Sequence, residues 1–161
     1  MKFYKITLRC ICFLILCLMF IIIFVLSSQN GQESSNLSQG FISKILNIIF
    51  NNISFENKLI IISKIEFIIR KLAHFTLYFF VGTNAIMLFK TYNIKNNEQI
   101  ALALLIGVIY AVFDEIHQVF VPGRAGKVTD VAIDTLGVIS GIYFVIFFIR
   151  IKKQFILKNM Q

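Results

Sequence analysis

Proline occurs once in this chain of 161 residues, tryptophan is absent, and Asp and Glu together number 8. One Pro and 8 Gly exclude a collagenous or proline-rich extended chain. Charge is scarce: 15% of residues are Asp, Glu, Lys or Arg, where a soluble domain carries about 25%. The three cysteines, Cys10, Cys12 and Cys17, share one apolar run, with no C-x-x-C spacing and no His neighbours. That excludes a cysteine zinc site and a disulfide framework. It leaves buried apolar thiols, with S-acylation of Cys10 or Cys12 at the membrane edge as the alternative. What abounds is hydrophobicity, at 58% of residues and a mean hydropathy of +0.81. A water-soluble fold holds about 45–50% apolar residues, so disorder and an aqueous surface are both excluded. The 16 Lys and Arg punctuate apolar runs and do not gather on a soluble face, which argues against a nucleic-acid partner. The composition is that of an integral membrane protein.

Four spans are expected, at about residues 8–27, 67–89, 100–121 and 130–149. The first holds residues 10–26 without a polar side chain, after Lys2, Lys5 and Arg9. This is longer than a signal-peptide core and lacks a small-residue cleavage site, so it reads as a retained anchor. Residues 41–66 are apolar but interrupted by Lys44, Lys58, Lys64 and Glu66. They suggest one or two interfacial helices, with Ser54 as a cap, or an extension of the second span. Pro122 stops the third span. The expected fold is therefore all-α: a polytopic membrane bundle forming one domain over residues 1–161. Four crossings put both termini on one side, with nine basic residues there against seven opposite. The positive-inside rule makes that side cytoplasmic.

Depth organises the titratable groups. His74 and Asp114 each lie seven residues inside a span end that meets the outer face, about 10 Å deep by helical rise. Asp134 is shallower. Arg70, His74 and Tyr78 fall at i, i+4, i+8; Asp114, His117 and Gln118 at i, i+3, i+4; Asp130 and Asp134 at i, i+4. Each set is one stripe of one helix. A charge facing lipid costs about 2.5–3.5 kcal/mol, so the stripes should face one another or a wet cleft. Residues 121–127 would form its lid, a turn with Gly123, Gly126, Arg124 and Lys127 suited to an anion. It is not a phosphate-binding P-loop, because Val128 follows Lys127 and Val121 stands five before Gly126.

The strings Arg70-Lys71-Leu72-Ala73-His74-Phe75 and Asp114-Glu115-Ile116-His117-Gln118, with Val121-Pro122-Gly123-Arg124 following, resemble the VanZ-like family. Asp130, Asp134, Gly137 and Ser27-Ser28-Gln29 agree with it. The resemblance spans about residues 25–145. It implies a bacterial plasma-membrane protein associated with low-level resistance to teicoplanin and related lipoglycopeptides, without remodelling of the cell-wall precursor terminus. One position departs: Leu77 stands where the family usually carries an acid just before the tyrosine.

Two classes of function remain open on the residues. In one, an anionic membrane lipid or lipid-linked cell-wall intermediate is bound or modified. Arg70, Arg124, Lys127, Gln118, Asp130 and Asp134 would then contact substrate, His117 would act as acid/base oriented by Asp114 or Glu115, and His74 would be a second such group. In the other, the same charges form a structural network in a non-catalytic accessory protein. Asp130 would then be an N-cap, and Gly137 and Gly141 would be helix-packing sites. No cofactor is expected. His74, His117, Asp114, Asp130 and Asp134 are suitable metal ligands by type, but no metal is assigned, since no H-E-x-x-H or paired-Cys spacing supports one.

Overall fold

The computed structural model describes residues 2–49 and 55–159. Their regular elements are helices: α1 (Lys2–Ser27), α2 (Gly31–Ile49), α3 (Phe55–Phe89), α4 (Asn96–Val119) and α5 (Val128–Lys158). The four expected spans fall on segments long and apolar enough to cross a bilayer, Phe3–Ser27, Lys64–Phe89, Asn96–Val119 and Val128–Lys158. Their outward faces carry Phe13, Leu14, Leu18, Ile21, Leu105, Ile109, Phe113, Tyr143 and Phe147, all exposed. In water that much apolar surface would aggregate, whereas in acyl chains it is matched. Cys12 is buried, Cys17 is half-buried, and Cys10 faces outward with these residues.

Three boundaries bear on the site: the start of α2, the start of α3 and the end of α4. α2 begins at Gly31, not near residue 41. Asn30 caps it: its Oδ1 accepts the Glu33 N–H at 2.8 Å, and the Glu33 carboxylate accepts the Asn30 N–H at 3.2 Å, a reciprocal capping box. Residues 55–66 extend the second span and do not form a helix of their own, while Ser54 lies outside the described residues. α3 thus holds 35 residues, about 52 Å at 1.5 Å per residue, longer than the ~30 Å hydrocarbon core. Its first turns therefore project beyond the span. There α2 runs antiparallel to α3, with Ile42 and Leu46 clustered on Ile62 and Gln39 donating to Glu66 at 3.0 Å. α4 ends at Val119, three residues before Pro122, because the residue preceding proline is pushed out of the α region.

α3 is the axis of the bundle. Tyr78, Val81, Ala85 and Ile86 are fully buried against Cys12, Leu16 and Ile23 of α1, Ala103 and Ala111 of α4, and Val138 and Ile142 of α5. The α3–α5 contact is the closest. A Cβ added at Gly137 would meet the Phe75 carbonyl and the Tyr78 side chain, and one at Gly141 the Phe79 carbonyl and the Thr83 nitrogen. The two glycines therefore act as the small-residue packing surface expected of them. At one end of the bundle Arg9 donates to Thr91 at 3.2 and 3.1 Å and lies over the Tyr92 ring. This pins the start of α1 to the turn after α3. The ends of α1 and α4, the start of α5 and the middle of α3 meet at the other end, where most of the titratable side chains of the spans collect.

Candidate functional site

Three helices deliver the site. α3 supplies Arg70, Lys71, His74 and Tyr78, α4 supplies Asp114, Glu115 and Gln118, and α5 supplies Asp130 and Asp134. Ligand atoms of His74, Asp114 and Asp134 all lie within 4.8 Å of one another, so the polar stripes of the three helices meet at these residues. Asp114 is 2% exposed and Asp134 0%. His74 Nδ1 stands 3.8 Å from the Asp134 carboxylate, too far for a hydrogen bond. His74 Nδ1, Asp114 Oδ1, both Asp134 oxygens and the Tyr78 hydroxyl are buried without a hydrogen-bond partner. Such concentration is unusual, since buried polar atoms are nearly always paired.

Around this core the polar groups are satisfied, largely by one another. Gln118 Nε2 donates to Asp114 Oδ2 at 3.1 Å and to Glu115 Oε1 at 3.3 Å, the i−4 and i−3 neighbours on its own helix. Glu115 Oε2 accepts the Lys127 backbone N–H at 2.8 Å. Arg124 reaches back to the end of α1, donating to the carbonyls of Gln29 at 2.8 Å and Leu26 at 3.0 Å, and also touches Gln118 Oε1 at 3.4 Å. Partial burial pulls its pKa down from 12.5. The turn holding Arg124 needs Gly123, at φ +73°, a region that a side chain disfavours. Gly31 packs directly on Gly123 and donates to the Pro122 carbonyl at 3.0 Å.

Two candidates sit differently from expectation. His117 has no hydrogen bond to Asp114 or Glu115; its Nε2 is 3.0 Å from Ser28 Oγ and its ring stacks on Phe24 at 4.5 Å. Asp130 is not the N-cap of α5, a place taken by Lys127. It lies in the first helical turn, where its carboxylate pairs with the Lys71 ammonium and accepts from Thr129 at 3.3 Å. Lys71 and Tyr78 thereby join the site. Tyr78 was legible from the Arg70–His74 stripe, and Lys71 only from its charge.

Two hollows open beside the triad. A polar cleft of about 340 Å³ is lined by Phe67, Arg70, Lys71, His74, Gln118, Arg124, Lys127 and Asp130, four cations to one carboxylate. Among the described residues Arg70 is loosely held, with one ion pair, a 4.0 Å approach to Glu66. Next to it lies an apolar groove of about 350 Å³ between α1, α2 and α3, lined by Ile23, Leu26, Leu37, Phe41, Ile69, Ala73 and Leu77. The hollows share Arg70, His74 and Arg124. Leu77, the departure from the resembled pattern, belongs to the greasy wall.

Neither curated proteins nor solved structures gave a match to this chain. The sequence model of the VanZ/LLP1 family matches residues 12–150, a stretch holding every site residue above and all four spans apart from the outer ends of α1 and α5. The chain belongs to the VanZ/LLP1 family.

Proposed function

We propose that this VanZ/LLP1 protein binds an anionic lipid or lipid-linked envelope molecule at the outer leaflet of the bacterial plasma membrane, and thereby contributes to low-level lipoglycopeptide (teicoplanin) resistance. One observation carries the reading: the cationic cleft and the apolar groove share a wall of Arg70, His74 and Arg124. An amphiphile has the same two-part chemistry. Its phosphate or carboxylate would meet Arg70 and the Lys127 side chain, with Lys71 behind them, and its chain would lie against Leu37, Phe41 and Leu77. Should a chemical step accompany binding, His74 is the acid/base group adjoining both hollows, while His117 is turned toward Ser28.

The test is mass spectrometry of lipids retained by purified protein after incubation with an envelope lipid extract. The expected result is enrichment of an anionic species over zwitterionic lipid. Arg70→Ala should lower it about 10-fold, the scale of one charge-assisted contact, and Lys44→Ala on exposed α2 should leave it unchanged. Equal retention of both lipid classes, or an Arg70→Ala protein indistinguishable from wild type, rejects the proposal.

A structural role is favoured by specific contacts for part of the set. Arg124, Glu115 and Gln118 spend their hydrogen bonds on α1 carbonyls, a backbone amide and each other. These three hold the site and the turn in place, and the ligand-binding role falls to Arg70, Lys127 and His74, with Lys71 held behind them by Asp130.

A further inference from the structure

The two buried carboxylates at the core of the site, Asp114 and Asp134, have no place in the lipid reading. Asp134 is completely buried, yet neither of its oxygens has a hydrogen bond. Asp114 keeps one oxygen on Gln118, has the Ser27 hydroxyl beside its carboxylate, and leaves Oδ1 without a partner. Among the described residues no lysine or arginine nitrogen lies within 4 Å of either carboxylate. The nearby cations are committed elsewhere: Lys71 to Asp130 and Arg124 to the end of α1. An uncompensated buried carboxylate is among the costliest groups a protein can hold, and two adjoining ones are costlier. A proton or a bound cation must offset them.

The geometry points to a divalent transition-metal site formed by His74 Nδ1, Asp114 Oδ1 and Asp134, and we propose that the protein binds one such ion there. The bare atoms are the donors such an ion takes. One imidazole nitrogen and two carboxylates suit zinc and its neighbours and supply two negative charges to match it. Donors held at about 2.0–2.2 Å from zinc lie roughly 3–4 Å from one another. The 3.8 Å between His74 and Asp134 fits, and the remaining separations, within 4.8 Å, need an approach of at most about 1–2 Å, a rotamer adjustment. Gln118, donating to Asp114 Oδ2, is the outer-shell partner that orients a ligating carboxylate. The three ligands come from α3, α4 and α5, so the ion would also tie the bundle together. Entry is past His74, whose side chain is 27% exposed and lines the cleft. A three-ligand set leaves a coordination position for water or an anion. The site shares His74 with the lipid reading but rests on Asp114 and Asp134, which that reading does not use, so loss of metal and loss of lipid are distinguishable.

Tag-free protein in detergent is stripped with chelator, re-equilibrated with Zn²⁺ or Mg²⁺, desalted and assayed for bound metal and melting temperature. Wild type is expected to retain about one Zn²⁺ per chain and to melt higher with it, and to retain no Mg²⁺. His74→Ala and Asp134→Asn should lose Zn²⁺ affinity by roughly 100-fold or more, while His117→Ala keeps it. Wild-type protein that takes up no Zn²⁺, and whose melting is insensitive to it, overturns the proposal without recourse to any variant. So does Zn²⁺ retained equally by His74→Ala and Asp134→Asn. In either case the two carboxylates are neutralised by protons.

Discussion

Arg124 shows how far a residue's role can depart from its type. An arginine in a Gly-rich turn near a membrane surface suggests an anion ligand. Its guanidinium instead donates to the carbonyls of Leu26 and Gln29, at the end of the first span. Those carbonyls lack helical partners, and a forked, permanently charged donor satisfies two of them at once. Arg124→Ala should therefore destabilise the folded protein by about 1–3 kcal/mol through unsatisfied carbonyls, and Arg124→Lys should recover only part of that. Thermal unfolding in detergent measures both. Full recovery by lysine would show that charge alone, and not the fork, is what α1 requires. His117 makes the same point. Asp114 and Glu115 are its sequence neighbours, but its contacts are Ser28 and Phe24, which no local spacing could reveal.

Helices meet in this protein where side chains are missing. Gly137 and Gly141 of α5 lie on the backbone of α3, and Gly82 of α3 lies on the Val138 carbonyl. Close backbone approach supplies the dispersion contact that drives association in lipid, where the hydrophobic effect is largely absent. Gly141→Leu should force the α3–α5 pair apart and destabilise it by about 1–3 kcal/mol or more, with His74 and Asp134 separating as a consequence. Gly40 in α2 has nothing within 4 Å of an added Cβ, and Gly40→Ala should stabilise by about 0.5–1 kcal/mol through helix propensity. Unfolding midpoints of the two variants should move in opposite directions. The i, i+3, i+4 stripes and the Gly-x-x-x-Gly spacing were legible because helical periodicity is local. The continuity of residues 55–66 with the second span was left open, because Lys58, Lys64 and Glu66 read as a break in the sequence, and it is α2, packed on Ile62 and bonded to Glu66, that accounts for it.

Across the whole molecule, polar chemistry gathers at one end of the bundle, and the outer faces of the spans are apolar. The end of α1, the ends of α4 and the 121–127 turn, and the start of α5 converge there. The opposite end carries the Arg9–Thr91 tie and the basic C-terminal turns of α5. By the basic-residue count, that opposite end is the one expected in the cytoplasm. In a cysteine-free background, Gln32→Cys should react with a membrane-impermeant maleimide on intact cells, and Lys153→Cys only after permeabilisation. The reverse pattern would place the cleft inward and end the outer-leaflet reading.

Amino-acid order alone determined the class of solvent, the number of crossings, and the depth and helical face of each polar group. These follow from hydropathy and from a rise of 1.5 Å per residue. It equally marked His74, Asp114 and Asp134 as groups that must avoid lipid. Tertiary structure decided which of those groups meet and which are spent on scaffolding. Arg124 and Glu115 went to backbone atoms, His117 to Ser28, and His74, Asp114 and Asp134, each with a bare buried atom, were left with ligand atoms within 4.8 Å of one another. The physical reason is that a partner 12 to 98 residues away, on another element, is chosen by helix packing, a property of the assembled bundle.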